Sequence, residues 1–268
     1  MVKKILSVLL MVTMITGYVF FLRAYEKEEK NSLPEIVFDS DHLVLSVSDD
    51  DSRLMEGVHA YDEEDGDLTD QIIVDSVSVF DSDYYRTVKY VVFDKNNKAA
   101  VASRTISYTD YTPPRIYLKD SLVQDTISTT SLNRIIGAVS SVDGDISNST
   151  ELKCGTFQNN RLDVKVSVSD STGTESTISF TCDYDRTVYL ADIVLNQYLL
   201  YIPVGTEYDF LENINDIVII NTSRPDLLEQ VIIQSSVDFY TPGIYEVYYY
   251  LSGDTGSSAR VKGLVLIQ

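Results

Sequence analysis

An Asp-Gly-Asp turn at 65–67 returns 78 residues later at 143–145, each time among short runs that alternate apolar and polar residues. That combination constrains the fold more than any other feature of the chain. Alternation with period two turns one face of a strand to a core and the other to water. It is plain in His42–Val47 (HLVLSV), Val164–Val168 (VKVSV) and Ile244–Leu251 (IYEVYYYL). Turn residues separate the runs at Glu64–Asp67, Lys95–Lys98, Val142–Asp145, Ser171–Gly173, Pro242–Gly243 and Ser252–Gly256. Many short strands at regular spacing predict β-sandwiches. Beyond the N-terminus, Pro225–Gln230 is the clearest helix-compatible stretch, and it is short.

The repeat sets the expected boundaries. Glu64–Thr69 corresponds to Val142–Ser147, and Val91–Asp94 with its turn corresponds to Val166–Asp170 with Ser171-Thr172-Gly173. Thr172-Gly173 returns as Thr255-Gly256. The predicted organisation is 1–24 as an N-terminal anchor, 25–33 as a charged linker, and three domains at 34–111, 112–186 and 187–268. Thr112-Pro113-Pro114 is the clearest junction, because proline cannot donate to a ladder and stiffens the join.

The stretch Gly57–Thr69 (GVHAYDEEDGDLT), the late strand Thr87–Asp94 (TVKYVVFD) and the opening Pro114-Arg115-Ile116 resemble the immunoglobulin-like repeats of Gram-positive surface proteins. The second domain keeps the Asp-Gly-Asp turn and the late hairpin but lacks the Gly-Val-x-Ala-x-Asp run. The third keeps Pro203–Tyr208 and Thr241–Val247 and has no Asp-Gly-Asp turn. The resemblance implies an all-β chain of three tandem Ig-like sandwiches displayed at a bacterial surface. It does not imply a particular activity, since one sandwich fold serves many functions.

Ile5–Leu22 (ILSVLLMVTMITGYVFFL) carries no charge over 18 residues. As a helix it would cover roughly 27 Å at 1.5 Å per residue, close to a hydrocarbon core. Lys3 and Lys4 precede it, so the N-terminus is expected inside and the rest outside. A cleaved signal peptide is the competing reading, but Phe20–Tyr25 offers no small-x-small site. The expected localisation is therefore a single-pass cell-membrane protein, touching the bilayer through residues 5–22.

The net charge is −20. Residues 34–111 alone hold 6 basic and 18 acidic residues. Nucleic-acid binding needs clustered Lys and Arg and is excluded as an expected partner. Only two His and two Cys leave little material for a zinc or His-based catalytic centre. No nucleophile elbow, zinc helix or phosphate loop is present. His42 and His59 read as structural or surface residues. No enzyme is expected. The expected role is a membrane-anchored Ig-like stalk acting as a binding or spacer module. An adhesin or wall-glycan binder, or a subunit of an envelope membrane complex, are the alternatives. The partner would be an envelope protein or glycan.

Two constellations remain. Asp62, Glu64, Asp65 and Asp67 crowd around Gly66, and oxygen ligands at close spacing suit weak calcium binding. The competing reading is a solvated turn whose Asp side chains cap backbone amides. Cys154 and Cys182 fall on alternating strands of the second domain, and a disulfide or two buried thiols would both fit. The Tyr84-Tyr85 and Tyr248–Tyr250 clusters read as sheet packing or as a contact surface for a partner.

Overall fold

The computed structural model describes residues 2–30, 32–252 and 258–268, so the expected turn at Gly253–Gly256 lies outside the described residues. Among the described residues, the chain from residue 35 onward forms 21 strands in three successive sets of seven. The first set is β1 (Glu35–Phe38), β2 (His42–Leu45), β3 (Val58–Asp62), β4 (Gly66–Asp67), β5 (Ile73–Val77), β6 (Arg86–Phe93) and β7 (Ala99–Tyr108). The second is β8 (Arg115–Leu118), β9 (Val123–Gln124), β10 (Ile136–Ser140), β11 (Gly144–Asp145), β12 (Glu151–Gln158), β13 (Arg161–Ser169) and β14 (Glu175–Tyr184). The third is β15 (Ala191–Leu195), β16 (Leu199–Ile202), β17 (Ile214–Ile219), β18 (Thr222–Ser223), β19 (Val231–Ser235), β20 (Gly243–Leu251) and β21 (Ala259–Ile267).

Each set pairs in the same order. A three-stranded sheet (β1-β3-β4, β8-β10-β11, β15-β17-β18) accompanies a four-stranded one (β2-β7-β6-β5, β9-β14-β13-β12, β16-β21-β20-β19). The second and seventh strands of each set pair in parallel, and all other pairs are antiparallel. Alternation explains the packing. In β6, Val88, Tyr90 and Val92 are fully buried while Thr87, Lys89 and Phe93 face out. Burying each such side chain contributes about 1.5–3 kcal/mol. The third set also contains the hairpin that the Asp-Gly-Asp motif marks in the other two. There Ile220 and Asn221 form the turn with φ of +46° and +61°. The hairpin survives although its glycine signature does not.

The chain divides into two compact units, Met1–Thr109 and Asp110–Gln268. Residues 112–186 and 187–268, expected as separate domains, belong to one of them and share a continuous buried cluster. The stretch Ser121-Leu122 makes the join. The Asp183 N–H donates to the Leu122 carbonyl at 2.7 Å, and the Leu122 N–H donates to the Lys262 carbonyl at 3.0 Å. The Lys262 N–H in turn donates to Ser121 Oγ at 3.0 Å. One segment thus bonds to the last strand of both sandwiches.

At the N-terminus a single helix, α1, covers Val2–Lys30. It absorbs most of the stretch expected as a linker at 25–33. The reason is local: Glu and Lys at 26–30 are good helix formers. Among the described residues, no helix is long and apolar enough to cross a membrane. The expected transmembrane helix is therefore not established by the structure. The consecutive side chains Leu9, Leu10, Met11 and Val12, and then Met14 and Ile15, are all exposed, so the apolar surface surrounds the helix.

Candidate functional site

The acidic turn resolves into capping. Asp62 is almost fully buried, and its Oδ1 accepts from the N–H groups of Glu64 and Asp65 at 3.0 and 2.8 Å. Its Oδ2 lies 3.2 Å from Ser32 Oγ, which donates to Glu64 Oε2 at 2.6 Å. Asp65 reaches the other hairpin and accepts from the Lys95 N–H at 2.8 Å and from Lys95 Nζ at 3.0 Å. Asp67 accepts from the Thr69 N–H at 2.9 Å and starts a short 3-10 turn. The Lys95 amide and ammonium hold the Asp65 carboxyl below its ordinary value, and the Thr69 hydroxyl and amide do the same for Asp67.

The second sandwich repeats this scheme residue by residue. Ser140 Oγ takes the place of Asp62 and accepts from the Val142 and Asp143 N–H groups. Asp143 accepts from the Ser171 N–H at 2.7 Å, and Asp145 accepts from the Ser147 N–H at 2.9 Å. Gly66 and Gly144 both sit at positive φ, +80° and +71°. The motif therefore has a structural meaning: the first Asp ties two hairpins together, Gly turns the chain, and the second Asp caps the following turn. Asp62, Glu64, Asp65 and Asp67 are not brought together as a metal centre. Among the described residues, no group of three or more His, Cys, Asp or Glu could hold an ion.

The expected disulfide is corrected. Cys154 and Cys182 are both free thiols, the first exposed and the second buried. They lie on β12 and β14, with β13 between them, and Cys154 pairs with Val164 while Cys182 pairs with Leu162. Two strand spacings separate them by about 9–10 Å, beyond the roughly 7 Å a disulfide tolerates. The ladder of β12 breaks in a bulge after Cys154, and almost the whole strand is exposed. Cys182 Sγ donates to the Leu122 carbonyl at 3.3 Å, and burial pushes its thiol up to about 12.

His42 and His59 are both exposed. His42 Nε2 lies 2.9 Å from Ser107 Oγ with Tyr85 edge-on to its ring, and His59 Nε2 lies 3.4 Å from Asp39. Tyr248 and Tyr250 share one face of β20 and stack at 6.0 Å, while Tyr249 points into the core.

The arrangement that sequence reading missed lies between the second and third sandwiches. Lys262 is fully buried. Its Nζ donates to Asp183 Oδ1 at 3.1 Å, to the Thr181 carbonyl at 2.7 Å and to Thr181 Oγ1 at 2.8 Å, and pairs with Glu246 Oε1 at 2.8 Å. Arg161 bridges Asp183 and Glu246, and Arg260 bridges Asp183 and Asp185. The Tyr248 hydroxyl donates to Asp183 at 3.1 Å, and its ring lies 5.4 Å from both Arg260 and Lys262. Three cations thus meet three carboxylates. Burial alone would raise Glu246, but Lys262, Thr181 and Arg161 outweigh it and hold the carboxyl at about 2. The hydroxyl and amide of Thr187, with Tyr189 and Arg260, hold Asp185 at about 2. The one sequence signal was a lysine inside the apolar run Val261–Ile267.

The fold and this cluster define a tandem β-sandwich protein whose last two sandwiches are welded. No protein-family model matches the chain, and no curated protein matches it. The similarity to Ig-like repeats drawn above thus has no family match behind it. Among solved structures, the chain is similar to the M60 catalytic domain with CBM51-1 and CBM51-2 domains of Clostridium perfringens ZmpB, at 12% identity and TM-score 0.25, over 87% of this chain and 30% of that one. It is also similar to CBM51-2 in complex with GlcNAc and INT domains of the same protein, at 15% identity and TM-score 0.24, over 88% and 42%. The extracellular domain of Protocadherin GammaB4 matches at 13% identity and TM-score 0.19, over 89% and 49%. The chain spans less than half the length of each of these three. At these scores none of them bears on its function.

Proposed function

We propose that this chain is a non-enzymatic display or spacer module of the cell envelope, held to a membrane by α1 with its sandwiches outside. The observation that carries the reading is the Lys262 cluster. It fixes two sandwiches as one body through charges that a freely jointed pair of domains would not bury. A buried ion pair specifies a geometry more than it stabilises a fold, and a fixed geometry is what a spacer or presenting module needs. Anchoring is supported by the apolar residues that surround α1, since a helix apolar all round calls for lipid or a protein core.

Cys154 supplies the test. It is exposed on an outer strand, whereas Cys182 is buried. In intact cells treated with a mild reductant, a membrane-impermeant maleimide should label the full-length chain once, at Cys154. Labelling that needs lysis would overturn the topology. Release of the chain from membranes by carbonate washing would overturn the anchor.

A further inference from the structure

We infer that the outer face of β12–β14 is a binding groove for an anionic saccharide, a sugar carrying a carboxylate or a phosphate. The inference goes beyond the spacer reading and does not rest on it. Two rungs of the sheet build the groove. Lys153 stands opposite Lys165, which stands opposite Ser179. Two residues along, inside the bulge that follows Cys154, Gly155 lies against Asp163, which stands opposite Thr181. These residues line a concavity of about 360 Å³. The concavity is open to solvent, so a sugar ring would rest in it on one face.

Three observations point to a ligand. Like charges directly opposite across a ladder are destabilising, yet Lys153 and Lys165 face each other. Among the described residues, neither lysine has a hydrogen bond or ion pair to a carboxylate, in a chain with 41 acidic and 21 basic residues. Elsewhere on the same face, Arg161 is paired twice. The groove also depends on a missing side chain. A Cβ at Gly155 would stand 3.0 Å from Asp163 Cβ, so any other residue there would crowd the groove's second rung.

The two rungs differ in chemistry. The first offers two ammonium groups and a hydroxyl, which suit a carboxylate or phosphate. The second offers the Asp163 carboxylate, which repels an anion and accepts hydrogen bonds from hydroxyls. An anion with hydroxyls at one end satisfies both, as a sugar acid or a sugar phosphate does. Inorganic anions satisfy the first rung alone.

The test is calorimetric titration of the full-length chain in detergent micelles with glucuronic acid, glucose 6-phosphate, glucose and inorganic phosphate. Saturable binding of one or both charged sugars is expected, weakened at least tenfold in Lys153→Gln/Lys165→Gln and lost in Gly155→Val. The lysine variant lies on the surface and keeps the fold, which circular dichroism checks. Which charged sugar binds more tightly decides between a sugar acid and a sugar phosphate. No binding of either charged sugar would overturn the inference. So would equal binding by the lysine variant, or binding of inorganic phosphate as tight as that of glucose 6-phosphate.

Discussion

Gly66 and Gly144 occupy left-handed backbone with open space around the missing side chain, so any loss on substitution there comes from conformation alone. Gly66→Ala and Gly144→Ala should each destabilise the protein by about 1–2 kcal/mol, read from chemical denaturation. Asn at either position should restore part of the loss, because Asn tolerates that region. The carboxylates around Gly66 are already committed to Lys95, Thr69 and the turn amides. Added calcium should therefore leave the melting temperature of the first sandwich unchanged, and a rise of several degrees would reinstate the ion site. The motif was legible in the sequence as a turn and a repeat. Its partners were not, because Asp65 acts on Lys95, thirty residues away in another hairpin.

Two strands carry the lessons at the level of elements. The core-facing parity of Cys154 was legible from alternation. Its exposure was not, because β12 is an edge strand with a bulge and little lies over it. Alkylation of native protein should find one thiol and denatured, unreduced protein two. The β14–β21 junction should also respond to acid. Glu246 has its carboxyl lowered from 4.5 to about 2, and Asp185 from 3.8 to about 2. Depressed carboxyls contribute stability that is complete above their unfolded values and disappears as pH falls through the folded ones. The junction should weaken between about pH 4.5 and pH 2, with Glu246 accounting for roughly 2 kcal/mol of the change. Glu246→Gln should flatten that part of the pH dependence in urea melts recorded from pH 6 to pH 2. An unchanged acid slope would contradict the assignment.

At the level of the molecule, the all-β architecture follows from alternation and turn chemistry, both readable along the chain, whereas the seven strands of each sandwich emerge only in the structure. The two compact units divide at Thr109 and Asp110, next to Thr112-Pro113-Pro114 in the sequence. The fusion of the last two sandwiches was hidden. It depends on Lys262 reaching Thr181 and Asp183, residues some eighty positions apart that no local pattern relates. Through this contact the two sandwiches form one body. Native-state hydrogen exchange tests it most directly, comparing amides of β13 with amides of β20 in the wild-type chain and in Lys262→Ala. Both strands should share one opening free energy in the wild type and drop together by about 3–5 kcal/mol in the variant, where Asp183 and Glu246 lose the buried one of the two cations they share. Different opening energies in the wild type, or a loss confined to β20, would contradict it.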